Sequence, residues 1–341
     1  MPGFQRTKWL IFSALLGFLA FQSNAQDIHY TQFHRAPARL NPGLTGMFSG
    51  DFRLTGHGRS QWSSVPVPYE TGALSMDFKW PFQPLESGWL TGGIFLDSDK
   101  SGYSNMKLIQ TGLSVGYIQP ISKQIFLSAG VQYRFTNRSF NLDALRFNDQ
   151  FNGDVFDPDL PNGESMSSSS VFYNSISTGL NLRVQNDKTR FKFDIGAGGF
   201  HLNKPKTSYY DFDPARLPIL INIYSDLTLP LNPILDIDLY SIYQIQDVYQ
   251  EVVLGTLLRY HLSVERTKEI SLALGAYYRF GDAFAPALEA RYSAWTLGFS
   301  YDLNISAFNV ATLGRGGPEL HIQYVWTRVA PPPVFKACPI F

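Results

Sequence analysis

The run Pro318-Glu-Leu-His-Ile-Gln-Tyr-Val-Trp-Thr-Arg328 puts Leu320, Ile322, Tyr324 and Trp326 on one face of an extended chain. Glu319, His321, Gln323 and Thr327 fall on the other. Side chains alternate across a strand with a period of two, so this segment is greasy on one side and polar on the other. With aromatics at its end, it reads as a strand of an outer-membrane barrel, apolar toward lipid and polar toward the lumen.

The pattern recurs. Some fourteen strands are expected, an even number as bacterial single-chain barrels require. They fall at 50–62, 71–80, 88–97, 106–119, 124–136, 171–185, 190–202, 217–229, 233–246, 249–261, 270–280, 286–293, 295–303 and 318–328. Connections after even strands are mostly short: Pro120 to Lys123, Asn186 to Thr189, Pro230 to Asn232, and a corner near Ala294. Long ones follow odd strands: Asp97 to Asn105, Asn137 to Ser170, Asn203 to Arg216 and Asn304 to Gly317. In such barrels short turns face the periplasm and long loops face outside, and a miscounted strand would break that parity. The expected fold is all-β: a closed antiparallel outer-membrane barrel over 50–328.

Composition fits a wall in a membrane. Of 341 residues 44% are hydrophobic and only 16% charged, while aromatics reach 15%, enough for girdles at both rims. The formal net charge is zero, so no global field draws nucleic acid; membrane lipid is the expected surrounding. Cys338 is the single cysteine, which leaves no intramolecular disulfide and no Cys-rich metal site. Beyond residue 25 no run of about 18 apolar residues appears, which argues against transmembrane helices.

Residues 1–25 read as a secretory leader, with Arg6 and Lys8, an apolar Trp9 to Phe21, and Ser23-Asn24-Ala25 as the cleavage site. The segment 26–49 does not fit the wall. Pro37 and Pro42 deny Asp27 to Gly46 both helix and sheet continuity, leaving an ordered plug, a periplasmic clamp or a loose leader. Residues 329–341, starting after the last strand, form a periplasmic tail with Pro331-Pro332-Pro333 and Cys338.

The inward face carries Arg134, Arg183, Lys192, Asp194, Asp236, Asp238, Glu251, Arg259, Arg279, Glu289, Arg291, Asp302 and Glu319. Both signs recur at neighbouring heights, which favours a filled or plugged lumen over a water channel. Arg279 with Asp282, and Asp302 with Arg315, are candidate lumen or rim pairs, and Arg315-Gly316-Gly317 reads as a turn. In the two longest outer loops Phe147, Phe151, Phe156, Tyr209, Tyr210 and Phe212 are candidate partner contacts; they are equally suited to packing over the barrel mouth.

Signals for chemistry are sparse. Gly112-Leu-Ser-Val-Gly116 matches a nucleophile pattern, but alternation continues through it, so Ser114 sits mid-strand rather than on the sharp turn that exposes a nucleophile. The six histidines, among them His57 and His321, show no metal spacing. The protein is expected to be no enzyme and to need no cofactor. The loop 154–164 gathers Asp154, Asp157, Asp159, Asn162 and Glu164, oxygen donors of the kind calcium accepts, although without EF-hand spacing.

Thr31-Gln32-Phe33, Ala36-Pro37, Leu40-Asn41-Pro42 and Gly46, with Thr31 for Ser and Gly43 for Ala, together resemble the opening motif of the PorP/SprF family of outer-membrane proteins associated with type IX secretion and gliding motility. Arg59-Ser60-Gln61-Trp62 resembles the family's first hairpin, and Tyr278-Arg279-Phe280-Gly281-Asp282-Ala283-Phe284 an internal segment. Ser300-Tyr301-Asp302-Leu303-Asn304 with Arg315-Gly316-Gly317 and Glu319 is similar to its last hairpin, and Cys338-Pro339-Ile340-Phe341 to its ending. The resemblance implies a partner-binding role: assisting a large adhesin, through its type B C-terminal domain, to be secreted or held at the surface. It also implies contact with other secretion components and a periplasmic lipoprotein. A structural part of the machinery, or a passive porin-like channel, are the alternatives.

Overall fold

The computed structural model describes residues 27–62, 68–80, 88–164, 168–186, 188–210, 215–265, 268–307 and 309–328. The expected leader 1–25, the tail 329–341 with Cys338, Phe212 and Ser165 to Ser167 lie outside the described residues.

Fourteen antiparallel strands close into a barrel. They are β1 (Phe52–Gln61), β2 (Tyr69–Lys79), β3 (Trp89–Ser101), β4 (Met106–Pro120), β5 (Ile125–Ser139), β6 (Ser170–Gln185) and β7 (Lys192–Phe200). There follow β8 (Leu220–Asn232), β9 (Leu235–Gln246), β10 (Tyr249–Glu265), β11 (Lys268–Arg279), β12 (Ala283–Tyr292), β13 (Trp295–Asn304) and β14 (Arg315–Trp326). Each strand pairs with its sequence neighbours, and β1 closes the ring on β14 through Phe52↔Trp326 to Arg59↔Glu319. Closure leaves no strand edge in lipid, where an unpaired backbone group has no water to turn to.

Alternation decides which face is which. On β14 Leu320 is 57% exposed while Glu319 is fully buried. The same register carries Ile94 and Leu96 outward on β3, and Asp97 inward. Trp80, Trp89, Tyr292, Trp295 and Trp326 stand exposed at the even-turn end, and Tyr69, Tyr278, Phe280 and Phe284 at the other. These are the two interfacial girdles.

Strand ends differ from the sequence expectation. β3 continues to Ser101, paired to Met106, so the loop expected from Asp97 to Asn105 shrinks to its last four residues. β5 likewise extends through Ser139, paired to Ser170. Above the bilayer both strand faces are wet, so Asp99, Lys100 and Arg138 carry no period of two although they continue the ladder. β8 runs through a bulge at Pro230 to Asn232, where a turn was expected. β14 starts at Arg315, with a bulge at Asp302/Leu303, so the Arg315-Gly316-Gly317 turn is part of a strand; at Gly317 a φ of +148° suits only glycine.

Candidate functional site

The barrel interior is occupied by the chain's own segment from Asp27 to Phe48. Its prolines break it into single turns, Phe33–Arg35, Pro37–Leu40 and Pro42–Leu44, with Pro37 and Pro42 each opening a turn where a missing N–H is harmless. Asn41 links the last two by accepting from the Gly43 N–H at 2.8 Å. A chain so folded leaves many backbone groups without helix or sheet partners, and the wall supplies them.

That supply runs down the bore. The Thr31 and Gln32 N–H groups donate to the Glu319 carboxylate at 2.8 and 2.7 Å. The Gln32 amide reaches Ser300 at 2.9 Å and, through its oxygen, His321 Nδ1 at 2.7 Å. Arg35 grips Glu289 with two hydrogen bonds of 2.8 and 2.6 Å, and Arg39 meets Asp97 at 3.0 Å. Asn41 donates to the Leu180 carbonyl at 2.8 Å. At the far end Gly46 N–H donates to Asp77, and Lys79 donates to the Phe48 carbonyl. Asp27, at the start, has a carboxyl held below its usual range: burial opposes this, and the hydrogen bond from His201 with the charges of Arg39 and Arg134 outweighs it.

Apolar contacts share the work. Phe33, Leu40, Leu44 and Met47 pack with Tyr224, Tyr240, Ile242, Val253, Leu257 and Tyr277 of the inner wall. These inward apolar residues were missed by sequence reasoning, which singled out only the charged inward positions. Tyr240 and Ile242 continue the alternation of Asp236 and Asp238 on β9, and Val253 and Leu257 that of Glu251 and Arg259 on β10. Opposite them lies a seat of glycines. A Cβ on Gly130 would meet the Pro42 carbonyl, and one on Gly179 the Asn41 side chain, each far inside contact distance. So Gln32, Phe33, Asn41 and Pro42 all sit buried against the wall, with Pro37 beside them. Beneath the segment a polar vestibule of about 1800 Å³, counting its open mouth, is lined by Arg35, Lys192, Asp226, Asp236 and Arg291.

The rim charges divide. Arg279 pairs with Asp282 at 2.8 Å. Asp302 does not pair with Arg315, which is exposed on β14 opposite Leu303. The bulge there turns Arg315 to the outer face, and Asp302 instead takes Arg59 at 2.5 Å, Arg279 at 3.6 Å and the Thr31 hydroxyl at 2.9 Å. Arg59 was the residue overlooked; its alternation with His57 and Thr55 on β1 was the available signal.

Above the mouth, the loops at 140–169 and 201–219 touch one another. Tyr210 donates its hydroxyl to Glu164 at 2.7 Å, and Tyr209 packs edge-on against Phe140 with centroids 4.9 Å apart. Phe151 and Phe156 form an isolated bridge, Arg146 lies over the Phe156 ring, and Phe151 is 55% exposed. Phe147 is half-buried. In the acidic loop Asp157 and Asn162 accept from the backbone two residues on, at Asp159 and Glu164. Among the described residues no three His, Cys, Asp or Glu side chains are grouped to hold a metal. Ser114 is buried in the middle of β4, opposite Gly93 and Gln132, with no turn on either side.

Two solved structures are similar in outline. One is a Pseudomonas aeruginosa FadL homologue, 11% identical, with a TM-score of 0.47 over 83% of this chain and 92% of that one. The other is the Pseudomonas putida toluene transporter TodX, also 11% identical, with a TM-score of 0.47 over 83% and 91%. No curated protein sequence matches the chain. Residues 22–316 match the family model of the type IX secretion system membrane protein PorP/SprF. A closed barrel with an apolar outer wall and that match make this an integral protein of the outer membrane: the chain belongs to the PorP/SprF family of type IX secretion membrane proteins.

Proposed function

We propose that the barrel binds a large type IX-secreted partner, an adhesin recognised through its type B C-terminal domain, and assists its secretion or its attachment at the surface. It does so without catalysis. The observation that carries this reading is the filled lumen: residues 27–48 tie both ends of the bore together through buried hydrogen bonds and ion pairs. A barrel whose interior is committed to its own chain has its outer face left for work, and loops on a rigid scaffold are where recognition concentrates. Phe151 is exposed on such a loop, and Phe147, Phe156, Tyr209 and Tyr210 are partly so. Buried aromatic anchors dominate protein interfaces, and the Tyr210–Glu164 contact holds the two loops in one arrangement before any partner arrives.

The test is purification in mild detergent of the unaltered barrel and of a Phe151→Ala, Tyr210→Ala variant. The secreted protein bearing the type B domain is expected to come with the first and to be lost from the second, with both barrels still folded by heat-dependent gel mobility. Retention by both variants, or an unaltered barrel that brings no such protein and conducts like an open pore, would reject the reading. Association with other secretion components is the second reading; it rests on family membership.

A further inference from the structure

The strand before which the N-terminal segment stands, β1, enters the wall at the short-turn end. Short turns at 121–124, 233–234 and 293–294 mark that end as periplasmic, and the long connections at 140–169 and 201–219 mark the other as external. A segment preceding β1 would ordinarily begin in the periplasm. This one begins at the opposite end.

Asp27 donates its N–H to Gln246, the last residue of β9, at 3.2 Å, and its carboxylate lies 2.9 Å from His201, just past the end of β7. Both stand at external strand ends. Asp27 and Ile28 share a pocket with Leu220 and Tyr249, the outermost residues of β8 and β10. From there the path descends. The His29 carbonyl takes Arg59 near the outer end of β1, Thr31 takes Asp302 and Arg279, and Arg35 takes Glu289 low on β12. The Gly43 carbonyl takes Ser128 near the inner end of β5, and Phe48 takes Lys79 at the inner end of β2. Between these points Arg39 reaches back up to Asp27 at 3.5 Å, and the Arg39 and Leu40 carbonyls take Asn222 near the outer end of β8, before the chain runs down through Gly43 to Phe48. The start lies at the external end and the finish at the inner one.

We propose that the processed amino-terminal end of this protein is presented at the external mouth of the barrel. The surface open to an outside protein then includes the start of the chain as well as the loops. The inference stands whether or not the barrel binds a secreted partner. It takes from the leader reading only that the chain is cut shortly before Asp27, since a leader with its apolar core would otherwise have to pass along the occupied bore. It also orders assembly: the leader is removed first, and the segment is enclosed before or as β1 meets β14.

A short epitope flanked by Gly and Ser, inserted between Gln26 and Asp27, tests this on whole cells. Controls carry the epitope in the external loop after Val155 and in the periplasmic turn after Ser293. The chain-start epitope is expected to bind antibody on intact cells to the same extent as the Val155 control. The Ser293 control is expected to bind only after the outer membrane is permeabilised. Because an insertion could unseat the segment, a Gln26→Cys, Cys338→Ser variant is labelled in parallel with a membrane-impermeant maleimide, which requires no added length. Labelling of both on intact cells supports the proposal. Labelling of the cysteine only after permeabilisation, or in neither state, overturns it, whatever the epitope does.

Discussion

At the scale of single residues, Glu289 is the junction on which the occupied lumen turns. Its carboxylate takes Arg35 of the segment at 2.6 and 2.8 Å and Arg259 of β10 at 2.8 Å, with His321 at 3.5 Å. A buried pair adds little net stability over an apolar replacement, yet removing one partner strands the other, at about 3–5 kcal/mol. Glu289→Gln therefore is expected to lower the urea midpoint of the barrel in detergent by a loss of that order, while Glu70→Gln, at the exposed outer end of β2, leaves it unchanged. His34 adds a pH dependence. It stacks on Tyr240 at 3.8 Å with Tyr277 beyond, and neither ring nitrogen finds a hydrogen-bond partner among the described residues. Burial, with Arg35 beside it, pushes its pKa well below the ordinary 6.5 against the pull of Glu289. The seated segment then binds fewer protons than the released one, so the contribution of His34 is full above pH 6.5 and falls as the medium turns acid. The protection of amides over 27–48, taken relative to the intrinsic exchange rate at each pH, is expected to fall between pH 7 and pH 5, and His34→Phe to remove that change; the carboxyl of Asp27, held low, adds its own loss only at more acid pH. Most of this was half-legible in the sequence: alternation assigned Glu289, Glu319 and Asp302 to the interior, but partners across the bore carry no sequence separation to read. Arg315 went wrong for a physical reason, since a single bulge reverses a side chain's face.

At the scale of elements, the strands were legible and the seat was not. A period of two over ten residues is a strong signal, and each of the fourteen strands overlaps the span alternation gave it, with ends that run longer, as on β3 and β5, or shorter, as on β1 and β7. What alternation does not say is why inward positions of β5 to β7 are glycine. Gly130, Gly179, Gly196 and Gly198 flatten the wall so that Leu40 to Gly43 can lie against the backbone itself, and the Asn41 amide can reach the Leu180 carbonyl. Gly179→Val places methyls where the Asn41 side chain now lies, with backbone close behind at Ala197. The expected outcome is a barrel that still forms, because its ladder is untouched, with the segment unseated. Trypsin in detergent is expected to cut after Arg35 or Arg39 in this variant and to spare the unaltered protein. Gly58→Ala is the control: a Cβ there meets nothing within 4 Å, so cleavage stays as before. Equal protection in all three would mean the seat is dispensable.

At the scale of the whole molecule, the wall and its filling depend on each other. The closed sheet satisfies its own backbone, but its inner face carries Asp77, Asp97, Glu289 and Glu319, buried carboxylates that the segment meets with N–H groups or guanidinium. Deletion of residues 27–48 removes Arg35 and Arg39 with only Asp27 in compensation. The emptied bore would not stay dry, because unpaired carboxylates in a low-dielectric space are strongly destabilising and water enters to solvate them. The deleted barrel is thus expected to conduct ions in planar bilayers where the intact one is silent. With two cations lost and one anion, and with Asp97 left without Arg39, the current is expected to favour cations. Reversal potentials across a salt gradient measure that preference directly. Anion preference would mean that Arg134, Arg183 and Arg259 set the field in the empty bore, and that the segment's chief contribution is packing against Tyr240, Leu257 and Tyr277 rather than charge. An unchanged, silent barrel would mean that the wall collapses inward or that the loops over the mouth alone close it, and the lumen-filling segment would then have no role in sealing the membrane.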